Sequence, residues 1–205
     1  VQPVAKRQPA GGSSLLVNGQ PVPVTVAPNG SDDGLDIEST GLTMTLDGLN
    51  ASGQPMNLDA NGVLILGQDR EVRSTGSGFM PNSDVELYVD PKVVSVGGRS
   101  KGIYVGTLRT DKDGTFSGDA TLPGGISVGV HDLQAVGVTR GNLPRALTLG
   151  VKVATTPGAI RNLAVERATA KGTVFLAWKA PKDNGGSAVT SYRVRYRLAL
   201  ASEWM

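Results

Sequence analysis

The sequence predicts an all-β protein. Gly accounts for 28 of the 205 residues, well above the usual share of about 7%, and Gly or Pro interrupts nearly every stretch of ten residues. Between these breaks lie short runs in which apolar and polar residues alternate, as in Leu42–Leu46 and Leu147–Val153. In residues 70–154, turns recur about every 8–12 residues, the spacing that is typical of a β-sandwich.

The composition excludes several kinds of site and partner. The chain has no cysteine and therefore no disulfide, no thiolate metal site and no cysteine nucleophile. Its 20 basic and 18 acidic residues leave a net charge of +2, which argues against strong attraction to nucleic acid or to an anionic membrane. A continuous apolar span of about 18 residues is absent, so no membrane span is predicted.

The N-terminal third predicts a tail and a small β unit. Residues 1–14 are polar and carry two prolines, which is typical of a linker or of the remnant of a leader. Residues 15–69 contain four β-like runs separated by Asn-Gly and Asp-Gly turns, which favour hairpins. The runs are Leu15–Val17, Val22–Val26, Leu42–Leu46 and Val63–Leu66. This unit is either a separate domain or a set of strands added to the next one.

Residues 70–154 form the most regular part of the sequence. Val85–Val89 and Ile103–Leu108 are strand-like, and Val130–Val138 is long enough for a further strand. Phe116 shares one face with Ala120 and other apolar positions two residues apart, so we expect it in the core. The pattern predicts a β-sandwich.

Residues 155–205 begin at a break, because Pro157 cannot extend a central strand. Two alternating runs follow, Thr173–Trp178 and Tyr192–Leu200, and a Gly-rich turn separates them. Leu176, Trp178 and Tyr192 are predicted to be core residues. Two or three strands cannot close a hydrophobic core, so we expect the chain to stop within a domain.

Two sets of residues carry resemblances to known families. Pro157–Leu163, Thr173–Trp178, Pro181, Asp183–Gly186 and Tyr192–Tyr196 follow one another in the order of the first half of a fibronectin type III domain, which residues 157–205 resemble. This resemblance implies that Trp178 and Tyr192 pack into the core. The second set is Gly76–Pro81, Asp111–Phe116, Leu122–Pro123 and Gly129–Leu133, followed by Gly137. Through it residues 76–153 resemble an immunoglobulin-like repeat of bacterial, especially actinobacterial, surface proteins.

These resemblances imply immunoglobulin-like sandwiches in tandem in an exported bacterial protein, located outside the cell or in its envelope. The implied role is structural or adhesive and non-enzymatic, such as that of a subunit of an extracellular array or filament. The implied partners are other chains or repeats of the same surface protein, and cell-wall or extracellular polysaccharide; no cofactor is implied. The alternative is an accessory or carbohydrate-binding spacer module of a secreted carbohydrate-active enzyme.

His131 is the only histidine of the chain. A catalytic triad would combine it with Ser127 and with Asp132 or Asp111, but no serine lies in a nucleophile-elbow sequence. A zinc site usually needs more nitrogen or sulfur ligands than one histidine supplies. We therefore expect His131 to lie at the end of a strand, without a catalytic role.

Two groups of aspartates are candidates for a calcium site. Asp111 and Asp113 resemble the start of a calcium loop, but the glutamate that an EF-hand needs at its twelfth position is absent. Asp32, Asp33 and Asp36 lie on a Gly-rich loop. A β-turn explains the first group equally well, and solvated loop carboxylates explain the second.

Two further sets of residues are candidates for ligand binding. Arg193, Arg195 and Arg197 project from one face of the last predicted strand, where they could bind sulfated glycans, phosphate or nucleic acid. The alternative is that they form the solvated side of that strand. Tyr88 and Tyr104 could form a platform for a sugar ring if they share an outer face, and packing is the alternative.

Overall fold

A computed structural model describes residues 7–91, 102–167, 173–186 and 188–197. Within these ranges the protein is all-β, with fourteen strands and no helix, and therefore no helix that could cross a membrane. The strands are β1 (Ser13–Val17), β2 (Gln20–Val22), β3 (Val24–Pro28), β4 (Leu35–Ser39), β5 (Leu42–Gly48), β6 (Ile65–Gly67), β7 (Glu71–Ser77), β8 (Asp84–Val89), β9 (Ile103–Arg109), β10 (Thr115–Thr121), β11 (Gly129–Val138), β12 (Pro144–Ala154), β13 (Arg161–Arg167) and β14 (Val174–Lys179).

The chain divides into two compact units, Val1–Thr155 and Thr156–Met205. In the first unit, one sheet has the strand order β2-β1-β12-β11-β8-β9, and β6 joins β12 as a parallel neighbour. The other sheet has the order β10-β7-β5-β4-β3. Residues 15–69 and residues 70–154 each contribute strands to both sheets, so the N-terminal strands belong to the same sandwich-like unit.

The apolar faces of the two sheets meet in one core. Leu87 and Leu147 contribute to it from the larger sheet, and Ile37 and Phe116 contribute from the smaller one. Phe79, which follows β7, lies against Phe116 edge to face, with 5.8 Å between the ring centroids. The core forms because each strand turns every second side chain inward.

Turn chemistry fixes where the first strands end. Asn18 and Gly19 both have positive φ, 47° and 78°, as a two-residue hairpin turn of type I′ requires, and β1 therefore pairs directly with β2. The sequence predicts one strand over Val22–Val26, but the structure has two strands in different sheets, with Pro23 between them. Proline lacks the N–H that would continue a ladder.

Three strands, β4, β7 and β13, were not predicted from the sequence, and one predicted strand has no strand pairing over its described residues. Residues 188–197, which include the start of the predicted run from Tyr192, are described without strand pairing, and residues 198–200 lie outside the described ranges. A strand is defined by its ladder of hydrogen bonds to a neighbour. The apolar and polar residues of this segment alternate as in a strand, but the segment is not hydrogen-bonded into the two-stranded sheet of β13 and β14.

The segment between β5 and β6 is anchored to β12 by Asp59. Its carboxylate accepts hydrogen bonds from the backbone N–H groups of Asn61 and Val63 and from Nζ of Lys152. Burial alone would raise the pKa of Asp59, but these donors outweigh it and hold the pKa below its usual value. The ionised carboxylate therefore stabilises the folded state.

Asp59→Asn should lower the free energy of unfolding at neutral pH by about 1.5–3 kcal/mol, the usual worth of hydrogen bonds to a charged group. Because the folded-state pKa is lower than the unfolded one, this stabilisation is complete above the unfolded pKa and is lost as the pH falls through the folded pKa. Denaturant titrations across the acid range should therefore show the two proteins converging. Asp84→Asn, in an exposed pair with Arg109, is the control and should change little.

Candidate functional site

The structure places His131 near the start of β11, with a side chain that is 7% exposed. Its Nδ1 lies 2.7 Å from Oδ2 of Asp90, and its Nε2 lies 3.2 Å from Oγ of Ser127. The histidine is thus grouped with Ser127, as considered from the sequence, but the carboxylate is that of Asp90. Neither Asp132 nor Asp111 fills this position.

This grouping lacks the free base that a triad needs. Nε2 of His131 donates a hydrogen bond to the backbone carbonyl oxygen of Ser127 at 2.8 Å, closer than the Ser127 hydroxyl. A general base must turn a lone pair toward the nucleophile, whereas this nitrogen turns its proton toward a carbonyl. The arrangement holds the chain segment before β11 in place.

The N-terminal segment closes over the neighbouring part of β11. The backbone N–H of Gln8 donates to Oδ1 of Asp132 at 2.8 Å, and Nη2 of Arg7 donates to the carbonyl of Val130 at 2.9 Å. Burial, together with the nearby charge of Asp90, raises the pKa of Asp132 despite the bond from Gln8. This polar cluster links residues 7–8 to the sheet.

The first pair of calcium candidates, Asp111 and Asp113, lies in the turn between β9 and β10, and both carboxylates bind groups of that turn. Asp111 Oδ1 accepts from the backbone N–H groups of Asp113 and Thr115, at 2.8 and 2.9 Å. Its other oxygen accepts from the Thr115 hydroxyl, and these bonds lower the pKa of Asp111. The Asp113 carboxylate pairs with Lys112 at 2.5 Å. These contacts are those of a polar turn.

The second group of calcium candidates is not on one loop: Asp32 and Asp33 precede β4, whereas Asp36 lies on β4. Asp33 Oδ1 accepts from the Asn29 amide at 2.9 Å, and Asp36 Oδ1 accepts from the Thr45 hydroxyl at 3.0 Å. Asp32 has a positive φ of 55° and is exposed. Over the described residues, no three acidic or histidine side chains come together in a way that could hold a metal ion.

Tyr88 and Tyr104 are cross-strand neighbours on β8 and β9. Their rings meet edge to face, with 5.8 Å between centroids and an interplanar angle of 65°. Tyr104 is 52% exposed, whereas Tyr88 is buried and donates to Glu86. A flat platform needs two coplanar exposed rings, and this pair exposes one.

The second unit has an open apolar face, which we call the β13–β14 face. It surrounds a cavity of about 720 Å³, and Arg193 and Arg195 stand among the lining residues; Arg197 is exposed. Trp178 and Tyr192 pack edge to face, with 5.3 Å between ring centroids. The apolar lining residues are Ile160, Leu163, Val165, Val174, Leu176, Trp178, Tyr192, Val194 and Tyr196.

Arg145 is a candidate that sequence reasoning missed. It lies on β12 opposite Gly137 of β11, and its side chain crosses to the other sheet. Nη1 donates to the carbonyl oxygens of Gly41 and Gly78 at 2.6 and 2.7 Å, and the guanidinium carbon lies 5.8 Å from the centroid of the Phe79 ring. The residue is only 6% exposed. Burial lowers the pKa of Arg145.

A half-open cavity of about 540 Å³ lies beside this side chain, and we call it the Arg145 cavity. Its polar lining comes from four separate parts of the first unit. Those side chains are Ser39, Thr43, Ser77, Asp113, Thr115, Thr139, Arg140 and Arg145.

One signal in the sequence points to Arg145. It lies an even number of residues from Leu147, Leu149 and Val151 along β12, so its side chain points to the same, inward face of the strand as theirs. The other inward side chains of this strand are apolar. A charged residue in such a position must find a partner across the core. A comparison with models of known protein families gives no match for this chain.

Proposed function

We propose that this chain is a non-enzymatic structural and adhesive segment of an exported bacterial surface protein, and that it assembles through its second unit. The observation that carries the proposal is the β13–β14 face. Its apolar side chains are strongly exposed, up to 65% for Val165. A contiguous apolar surface of this kind marks a site of protein association.

The occupant that fits the β13–β14 face is a second copy of the chain. A two-stranded sheet is marginally stable by itself and needs a packing partner. A second copy supplies an identical apolar sheet, and two such sheets packed face to face make the two layers of a sandwich. The lining residues include Arg193 and Arg195 and no acidic side chain, so the arginines of two copies repel each other.

Light scattering of the intact chain should show a mass above that of the monomer, rising with protein concentration. The association should strengthen as salt is added, because salt screens the repulsion between Arg193 and Arg195 of the two copies. Val165→Lys should weaken it by about tenfold or more, since burial of a valine contributes about 1.5–3 kcal/mol.

Ala164→Lys is the matched control. Ala164 is the neighbour of Val165 on β13 and does not line the face. It adds the same charge to the opposite side of the strand and should leave the association unchanged. A chain that stays monomeric at every concentration and salt level, or equal loss in both variants, would contradict assembly through this face.

A second candidate function is that of an accessory, carbohydrate-binding module of a secreted enzyme. One observation favours it, the hydroxyl-rich lining of the Arg145 cavity. Small-molecule sites use a few hydroxyl and charged side chains to fix the orientation of the ligand, and sugars offer many hydroxyl groups to such side chains. This function needs no contact between copies of the chain.

A further inference from the structure

The first unit buries a positive charge that no carboxylate in the described residues neutralises. Arg145 takes part in none of the ion pairs there, which are Arg73–Asp119, Arg109–Asp84, Lys112–Asp113, His131–Asp90 and Lys152–Asp59. A buried charge without a counter-charge is strongly destabilising. An anion bound beside Arg145 would therefore stabilise the folded protein.

Only part of the Arg145 guanidinium has hydrogen-bond acceptors. Nη1 uses both of its N–H groups, on the carbonyl oxygens of Gly41 and Gly78. Nε is shielded from solvent and has no acceptor among the described residues. Since Arg145 lines the cavity, the N–H groups of Nη2 are the donors that it offers there. Charge-assisted bonds from a guanidinium to an anionic oxygen are among the strongest in proteins.

The size of the Arg145 cavity indicates an organic ligand. Its volume of about 540 Å³ lies within the range of about 300–1,000 Å³ that is usual for small-molecule sites. One water molecule occupies only about 30 Å³ of liquid, so a single water or a small inorganic anion would leave most of this space unfilled. A ligand of the size of one or two sugar rings fits better.

The charges of the lining indicate an anionic ligand. Arg140 and Arg145 bring two positive charges, and Asp113 brings one negative charge that is paired with Lys112. Arg140 is exposed at the rim and donates through Nη2 to the backbone carbonyl of Asp113. The remaining N–H groups of its guanidinium are available to a ligand. Because the Asp113–Lys112 pair is neutral by itself, the two arginines leave the lining positively charged, and a carboxylate is an anion that both can bind.

The hydroxyl groups of the lining suit a polyol. Thr43 and Ser77 are bonded to each other at 3.0 Å, which leaves one donor and further acceptor positions between them. Ser39 donates to the carbonyl of Pro23 and keeps its acceptor positions. Thr139 accepts from the N–H of Leu143 and keeps its donor. Sugar hydroxyls are both donors and acceptors and can satisfy all of these groups.

We propose that the Arg145 cavity binds an acidic saccharide, whose carboxylate accepts hydrogen bonds from Nη2 of Arg145 and from Arg140. The hydroxyl groups of the sugar then meet Ser39, Thr43, Ser77 and Thr139. This site lies wholly in the first unit and is independent of assembly through the β13–β14 face. It gives the second candidate function a ligand class.

Isothermal titration of the intact chain with glucuronate tests the proposal, with glucose, acetate, sulfate and a short polyglutamate peptide as comparison probes. Glucuronate should bind saturably and more tightly than each of the other probes. Arg140→Gln should weaken its binding by about tenfold, the effect of losing one charge-assisted hydrogen bond. Arg145→Met should abolish it, and Arg70→Gln, at the opposite end of β7, should leave it unchanged.

Each other outcome contradicts the proposal in a distinguishable way. Equal binding of glucose and glucuronate would support a carbohydrate-binding module but would contradict the proposal that its ligand is acidic. Equal binding of acetate or sulfate would reduce the site to a simple anion site, and tighter binding of polyglutamate would make the ligand a protein. If none of the probes binds, the proposed ligand site is wrong, whereas the proposal of self-association through the β13–β14 face is unaffected. If Arg145→Met fails to fold, Arg140→Gln against Arg70→Gln decides.

Discussion

Phe79→Ala should lower the free energy of unfolding of the first unit by about 3–5 kcal/mol, as large truncations of core aromatic residues do. Phe79 is fully buried, lies edge to face against Phe116 and lies under the Arg145 guanidinium. A side chain at position 137 would collide with its ring, since a Cβ added to Gly137 lies 2.6 Å from Cδ1 of Phe79. The site is therefore packed on several sides and cannot collapse easily.

Chemical denaturation followed by circular dichroism measures this loss. Leu143→Ala is the control, because Leu143 is a large apolar residue in the exposed turn between β11 and β12. Its truncation should change the free energy of unfolding by less than about 0.5 kcal/mol. If the two variants lose similar amounts, Phe79 does not belong to a tightly packed core.

Gly78→Ala should be the second large effect, a loss of about 3 kcal/mol or more from strain and steric overlap together. Gly78 has a φ of +112°, where side chains are strongly disfavoured. An added Cβ would also lie 2.2 Å from the carbonyl oxygen of Gly41, one of the two oxygens that hold Nη1 of Arg145. The substitution therefore disturbs the strand ends and the arginine together.

The matched control is Gly125→Ala. Gly125 also has a positive φ, 81°, but an added Cβ meets no atom within 4 Å. This variant carries the backbone cost without the overlap and should lose about 1–2 kcal/mol. Thermal and denaturant unfolding of the two variants separates the contributions. Equal losses would show that the close approach of Gly78 to Gly41 is unimportant for stability.

The fold class was predictable because alternation records which face of a strand is buried. Leu42, Met44 and Leu46 are all buried on β5, and the polar residues between them are not. β7 escaped prediction because its inward positions include Ser74 and Gly76. A strand in the middle of a sheet is held by ladders on both sides, here with β5 and β10, and needs less apolar patterning of its own.

The Arg145 cavity was beyond sequence reasoning for a geometric reason. Its lining comes from the turn between β4 and β5, the end of β7, the turn between β9 and β10, and the turn between β11 and β12. These parts meet only when the two sheets stack. The sequence-predicted candidates were instead local groups, such as Asp111 with Asp113, which the structure uses to close a turn.

The pairing of β1 with β12 has a consequence for biosynthesis. Leu15 of β1 lies opposite Leu147 of β12, so the ribosome makes β1 about 130 residues before β12, an interval of roughly 7–25 s at ordinary rates of translation. Until then β1 has only the short strand β2 as a sheet partner, and the unpaired edge of β12 can accept the same strand from another nascent molecule. We expect exchange of this strand between chains to be the main error in folding, favoured wherever many copies are made close together.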